Sequence, residues 1–146
     1  MNPRDFHGVA VDLMAKGGAA CFRTAIGRAY YAAFQTAVSV LRGCGCTISK
    51  GPQAHGDVIL RLQASNNSAV QRVGSQLRDL KGKRNDADYD LEDQKVEDIK
   101  TVKFWVADAK RNIDTLDKIV VGGPDREAII SAIRAWEDKM KPHRQN

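Results

Sequence analysis

The sequence predicts an all-α fold, an antiparallel bundle of four to five helices. Three observations predict it. Apolar residues recur three or four positions apart along nearly the whole chain. No stretch sustains the period-two alternation of a half-buried strand. Glycine and proline clusters fall between the periodic stretches, where helices must stop.

A first helix is expected over Arg4 to Lys16, with Phe6, Val9, Ala10, Leu13 and Met14 on one face and Gly17-Gly18 ending it. A second covers Ala19 to Leu41. Its stripe is Phe22, Ile26, Tyr30, Ala33, Phe34, Ala37, Val38 and Leu41, and its many alanines let a neighbouring helix approach closely. Arg28, Tyr31 and Gln35 share a separate polar face of that helix, by their offsets of three, four and seven. Gly43 to Gly56 reads as a loop, and a short helix follows over Asp57 to Ala64. Ser65 to Ser68 is a turn and N-cap region. The next helix, Ala69 to Lys83, turns Val70, Val73, Leu77 and Leu80 inward and delivers Arg84-Asn85 at or just past its end. The longest helix is expected over Asp93 to Val121 and is stopped by Gly122-Gly123-Pro124. A last helix, Asp125 to Met140, precedes a frayed tail, Lys141 to Asn146. One bundle is expected over 1–121, with 122–146 an appended helix and tail packed on the same domain.

A chain of 146 residues with 42% hydrophobic and 28% charged content is long enough to bury a core. No apolar run nears the roughly 18 residues that span a bilayer, and Met1 to Asp5 does not open a signal peptide. Cys21, Cys44 and Cys46 are an odd set that does not form a disulfide framework. A cytoplasmic location without a membrane partner is the expectation. The net charge of +5 weakly favours an anionic partner.

The charge is unevenly placed. Arg72, Arg78, Lys81, Lys83 and Arg84 oppose only Asp79 in one block. In the next block Asp86, Asp88, Asp90, Glu92, Asp93, Glu97 and Asp98 oppose only Lys95. The acids superficially match a calcium loop, but Leu91 stands where the sharp turn requires glycine. Cys44, Cys46 and His55 lack the paired spacing of a zinc site. No nucleophile elbow and no phosphate loop ending in Lys-Ser or Lys-Thr is present in the sequence. No metal or cofactor is therefore expected. Arg84-Asn85 remains as a candidate for phosphate recognition. A guanidinium can hold a phosphate through two hydrogen bonds, with Lys81 and Lys83 adding positive potential. The alternative is that Arg84 pairs with Asp86, Asp88 or an acid of the following helix. Arg28 likewise either lines a cleft with Tyr31 or pairs with an acid of the 86–98 block.

Two segments together resemble a known family. Arg23-Thr24-Ala25-Ile26-Gly27-Arg28-Ala29-Tyr30-Tyr31-Ala32-Ala33-Phe34 is similar to the Arg-Ala-Tyr-Tyr-Ala-x-Phe signature of small prokaryotic HEPN-domain proteins. Arg84-Asn85-Asp86-Ala87-Asp88-Tyr89-Asp90 resembles the Arg-Asn-x-Ala-Asp-Tyr element of one branch, and His55-Gly56 resembles a further feature of it. The resemblance implies a HEPN-like bundle, a homodimer with the arginine motif near its interface, and action on RNA. Members are metal-independent endoribonucleases, often toxin–antitoxin or phage-defence effectors. Others are non-catalytic modules that bind a nucleotide or phosphate, or pair with a nucleotidyltransferase. Carried onto this sequence, Arg84 would stabilise the phosphorane and Asn85 would position it. Tyr89, with Asp88 beside it, would stand in for the histidine of the cleaving members. A histidine titrates near 6.5 and a tyrosine near 10, so Tyr89 can donate a proton but is a poor base at neutrality. His55 is the other candidate base. Arg28, Tyr31, Lys81 and Lys83 are the expected phosphate-binding residues.

Overall fold

The computed structural model describes residues 1–141, so most of the expected frayed tail, and His143 with it, lies outside the described residues. No strand occurs among the described residues. Six α-helices follow one another: α1 (Asp5–Lys16), α2 (Ala19–Gly43), α3 (Ala54–Gln63), α4 (Ser68–Tyr89), α5 (Ile99–Thr115) and α6 (Arg126–Met140). A 3-10 turn, Gln94–Glu97, precedes α5, and a π-helical segment, Leu116–Val121, continues it. By contact density the chain divides into two units. One holds Met1–Thr36 and Gln76–Asp114, the other Ala37–Ser75 and Thr115–Asn146.

Two expected helices differ from the structure, one in where it ends and one in being divided. The helix expected to end at Lys83 runs on to Tyr89. The sign change at Arg84 therefore lies inside a helix and not at or past its end. Lys83–Asp86 at 3.9 Å and Arg84–Asp88 at 2.9 Å are the i,i+3 and i,i+4 pairs that support a helix across it. The helix expected over Asp93 to Val121 is three pieces. Asp93 is an extended N-cap for the 3-10 turn, its side chain accepting from Lys95 N. Asp98, also extended, accepts from Lys100 N and opens α5. The longest helix is α2, at 25 residues.

In the first unit the packed residues come from α1, α2, the end of α4 and α5. Ala25, Ile26, Ala29, Leu77, Leu80, Val102 and Ala109 are fully buried. Arg23 is buried with them, 8% exposed, on the stripe it shares with Ile26 and Tyr30. Its Nε donates to Glu97 Oε2 at 2.7 Å, and its Nη2 lies 2.6 Å from the same oxygen. Nη1 donates to the carbonyls of Asp86, Ala87 and Asp90, and Nη2 to those of Leu91 and Asp93, at 2.8 to 3.3 Å. A helix leaves its last carbonyls unsatisfied and its C-terminal end partly negative. The last turn of α4 contains no base of its own. Arg23 supplies the missing donors and the missing charge from α2.

In the second unit, Leu41, Val58, Leu62, Val70, Val73, Leu116, Ile129 and Ile133 are buried. Gln63 and Gln71 exchange amide hydrogen bonds with each other's backbone carbonyls, at 3.1 and 3.0 Å, and so fix α3 beside the start of α4. A Cβ at Gly74 would sit 3.2 Å from Leu62 Cβ, so this close approach needs glycine. Arg61 of α3 pairs with Glu137 of α6 at 2.7 Å and lies 5.3 Å over the Trp136 ring. Both partners of that pair are mostly buried.

Replacing Arg23 by alanine strands a half-buried carboxylate and several carbonyls. The expected loss is about 2–4 kcal/mol, chiefly from the carbonyls left without donors. Arg23→Lys has too few donors to serve the same acceptors and should recover only part of that loss, whereas Glu97→Gln should cost about 1–2 kcal/mol. Urea unfolding midpoints of the three variants would give this order, and equal midpoints for Arg23→Ala and wild type would remove Arg23 from the framework.

Candidate functional site

The two motif segments meet in the first unit. Arg23 of α2 binds the carbonyls of Asp86 and Ala87, and a Cβ built on Gly27 would lie 3.7 Å from Asp88 Oδ1. The α2 motif is therefore the floor on which the last turn of α4 rests. Lys81, Arg84, Asn85 and Asp88 are spaced by three, four and seven residues and share one helix face.

Arg84 is half-buried on this face. Its Nε binds Asp88 Oδ2 at 2.9 Å and its Nη1 donates to Asn85 Oδ1 at 3.2 Å. The guanidinium also lies 5.6 Å from the centre of the Tyr89 ring. Tyr89 is 74% exposed, so one side of its ring faces solvent while Arg84 attends it. Lys81 is half-buried one turn before Arg84. Lys83 points to Asp86.

The expected set is only partly gathered. Arg84, Asn85, Asp88 and Tyr89 form one cluster, with Lys81 on its face. Arg28 and Tyr31 form another with Phe6 of α1. Phe6 and Tyr31 meet edge to face at 4.9 Å, and the Arg28 guanidinium lies 5.5 and 5.0 Å from the two ring centres. Arg28 thus meets Tyr31, with which it was expected to share a face, and Phe6 of α1 joins them. His55 lies on α3, in the second unit. The histidine of the first unit, His7, is engaged elsewhere: its Nε2 is 2.8 Å from the Val106 carbonyl.

Tyr30, beneath the cluster, is buried and stacks on Phe34 at 5.6 Å. Burial pushes its phenol up to about 12, although the positive charge of Arg84 pulls the other way. The thiols of the second unit are also raised. Burial lifts Cys46 to about 11 and moves Cys44 in the same direction. Both stay protonated at neutrality, which makes them weak nucleophiles and weak metal ligands.

Motif spacing gives Arg23 no role, although it stands at the start of the α2 segment. Its signal was present: a single cation on an otherwise apolar helix stripe is buried only when fully paired.

No protein-family model, no curated protein and no solved structure matches this chain.

The raised Tyr30 has a consequence at high pH. The folded state holds the Tyr30 proton up to about pH 12, while the unfolded chain releases it near 10. Between those values the unfolded state binds fewer protons, so stability must fall as pH rises and is fully retained below 10. Stability measured across that window should fall less steeply in Tyr30→Phe than in wild type. Equal slopes would mean that Tyr30 ionises as readily in the folded protein as in the unfolded chain.

Proposed function

We propose that the first unit is a HEPN-like module that binds single-stranded RNA on the Lys81–Tyr89 face of α4 without cutting it. The observation that carries this reading is the placement of the Arg84 guanidinium against the exposed Tyr89 ring. An open aromatic face accepts a base by stacking, and an adjacent cation accepts the phosphate that follows it. Lys81, one turn away, extends the positive track. Asp88 holds Arg84 in place when no ligand is bound and must exchange it for a phosphate oxygen. A half-exposed pair within one helix is worth only about 1 kcal/mol, so the exchange costs little.

The groups around Arg84 also favour binding over cleavage. They are a carboxylate, an amide and two phenols, and the buried phenol, Tyr30, is raised away from neutrality. Attack by a ribose hydroxyl is assisted most by a group that titrates near pH 7.

Fluorescence anisotropy of the full chain with a labelled single-stranded RNA tests this. Arg84→Ala and Tyr89→Ala should each weaken binding by about 1–3 kcal/mol, and Arg84→Ala should reduce the salt dependence by about one phosphate contact. The RNA should remain intact. Affinity unchanged in both variants overturns the reading. Cleavage by wild type that Arg84→Ala abolishes would make the same face the active site of a metal-independent ribonuclease.

A further inference from the structure

Two polar side chains accompany the Tyr89 ring on the last turn of α4. Asn85 lies four residues before Tyr89 and three before Asp88, so the three are neighbours on the helix surface. All three residues are exposed. The other acids nearby are engaged elsewhere. Asp86 lies 3.9 Å from Lys83 Nζ, and Asp90 Oδ1 accepts from Glu92 N at 3.3 Å. Asp88 is therefore the carboxylate that stands beside the stacking surface.

Arg84 sets the sense of both groups. A guanidinium only donates, so the Asn85 amide must turn its oxygen to Arg84 Nη1, at 3.2 Å. The Asn85 NH2 is then the end left to donate. Asp88 holds Arg84 Nε through Oδ2 at 2.9 Å. When a phosphate takes Arg84, the Asp88 carboxylate keeps two acceptor oxygens and loses its donor. A released anion beside an RNA strand opposes binding unless the bound base supplies N–H groups to it. The turn thus presents one donor, from Asn85, beside two acceptors, from Asp88.

We propose that this turn selects guanine as the base stacked on Tyr89, a selection that rests on the RNA-binding reading of the same face. The Watson–Crick edge of guanine presents the acceptor O6 and then two donors, N1–H and N2–H. Asn85 Nδ2 donates to O6, and the Asp88 carboxylate accepts both N–H groups. Guanine is the one base whose edge satisfies all three protein groups. Uracil and cytosine set an acceptor against the carboxylate, and adenine leaves one of its oxygens unmet. The choice of base is coupled to the phosphate contact, because the exchange at Arg84 is what frees Asp88 for the base.

Anisotropy titrations of the full chain with short labelled oligouridine strands test the selection. Each strand carries a single central guanosine, inosine, adenosine, cytidine or uridine. The guanosine strand should bind tighter than the adenosine, cytidine and uridine strands by about tenfold or more. Inosine keeps O6 and N1–H but lacks the 2-amino group, so it should bind about three- to tenfold more weakly than guanosine. Asp88→Asn replaces one acceptor by a donor at nearly the same shape and should remove the difference between guanosine and inosine. The ratio between strands isolates base choice, since any change in fold or in the hold on Arg84 moves all strands together. The inosine comparison needs wild type alone. Wild type that binds all the strands alike overturns the selection and leaves the RNA-binding face standing. Binding to none of them overturns both. A guanosine preference that persists in Asp88→Asn overturns the role of Asp88.

Discussion

The first unit depends on one buried cation. Arg23 sits on the apolar stripe of α2 and directs its guanidinium at Glu97 and five backbone carbonyls. Five N–H donors meet at least as many acceptors, so the cost of removing the charge from water is met by hydrogen bonds in every direction. The same contacts terminate α4, shape the turn at Asp90-Leu91-Glu92 and hold the 3-10 segment that carries Glu97. Three consecutive segments between 86 and 97 are thereby fixed to one side chain more than sixty residues earlier in the chain.

This constraint explains why an acidic segment can end a helix. Asp86 and Asp88 in the last turn of α4, with Asp90 just beyond, oppose the helix dipole. Lys83 and Arg84 offset them from within the helix, and Arg23 offsets the terminal carbonyls from outside. Removing the motif arginine of α2 would release the segment on which Arg84 and Tyr89 are displayed. Framework and candidate site are therefore coupled: Arg23 positions residues that it never shares a ligand with. The two segments are one packing unit, whatever ligand the surface takes.

The second unit is held differently. The Arg61–Glu137 pair is mostly buried, and Trp136 covers the guanidinium. The reciprocal glutamine pair, Gln63 and Gln71, ties α3 to the start of α4 without charge. The cysteines here are buried thiols whose ionisation is suppressed, so they act as small apolar residues.

The sequence by itself determined the helical class and where most helices begin. Apolar spacing and the glycine pairs are local signals, and local signals suffice for those features. The charge reversal and the family resemblance drew attention to Arg84, Asn85, Asp88 and Tyr89, and the structure joins them as i,i+1, i,i+4 and i,i+5 neighbours on one helix. Periodicity misplaced the end of α4 and merged the 3-10 turn with α5. The first error arose because α4 is capped by Arg23, more than sixty residues earlier in the chain. The second arose because Asp93 and Asp98 act as caps inside an acidic run that reads as one helix start. Tertiary structure alone decided that Arg28 lies on Phe6 and Tyr31, that His55 falls in a different unit from Arg84, and that Glu97 serves Arg23. Each of these depends on which helix faces are brought together, and periodicity along one helix does not encode its neighbour.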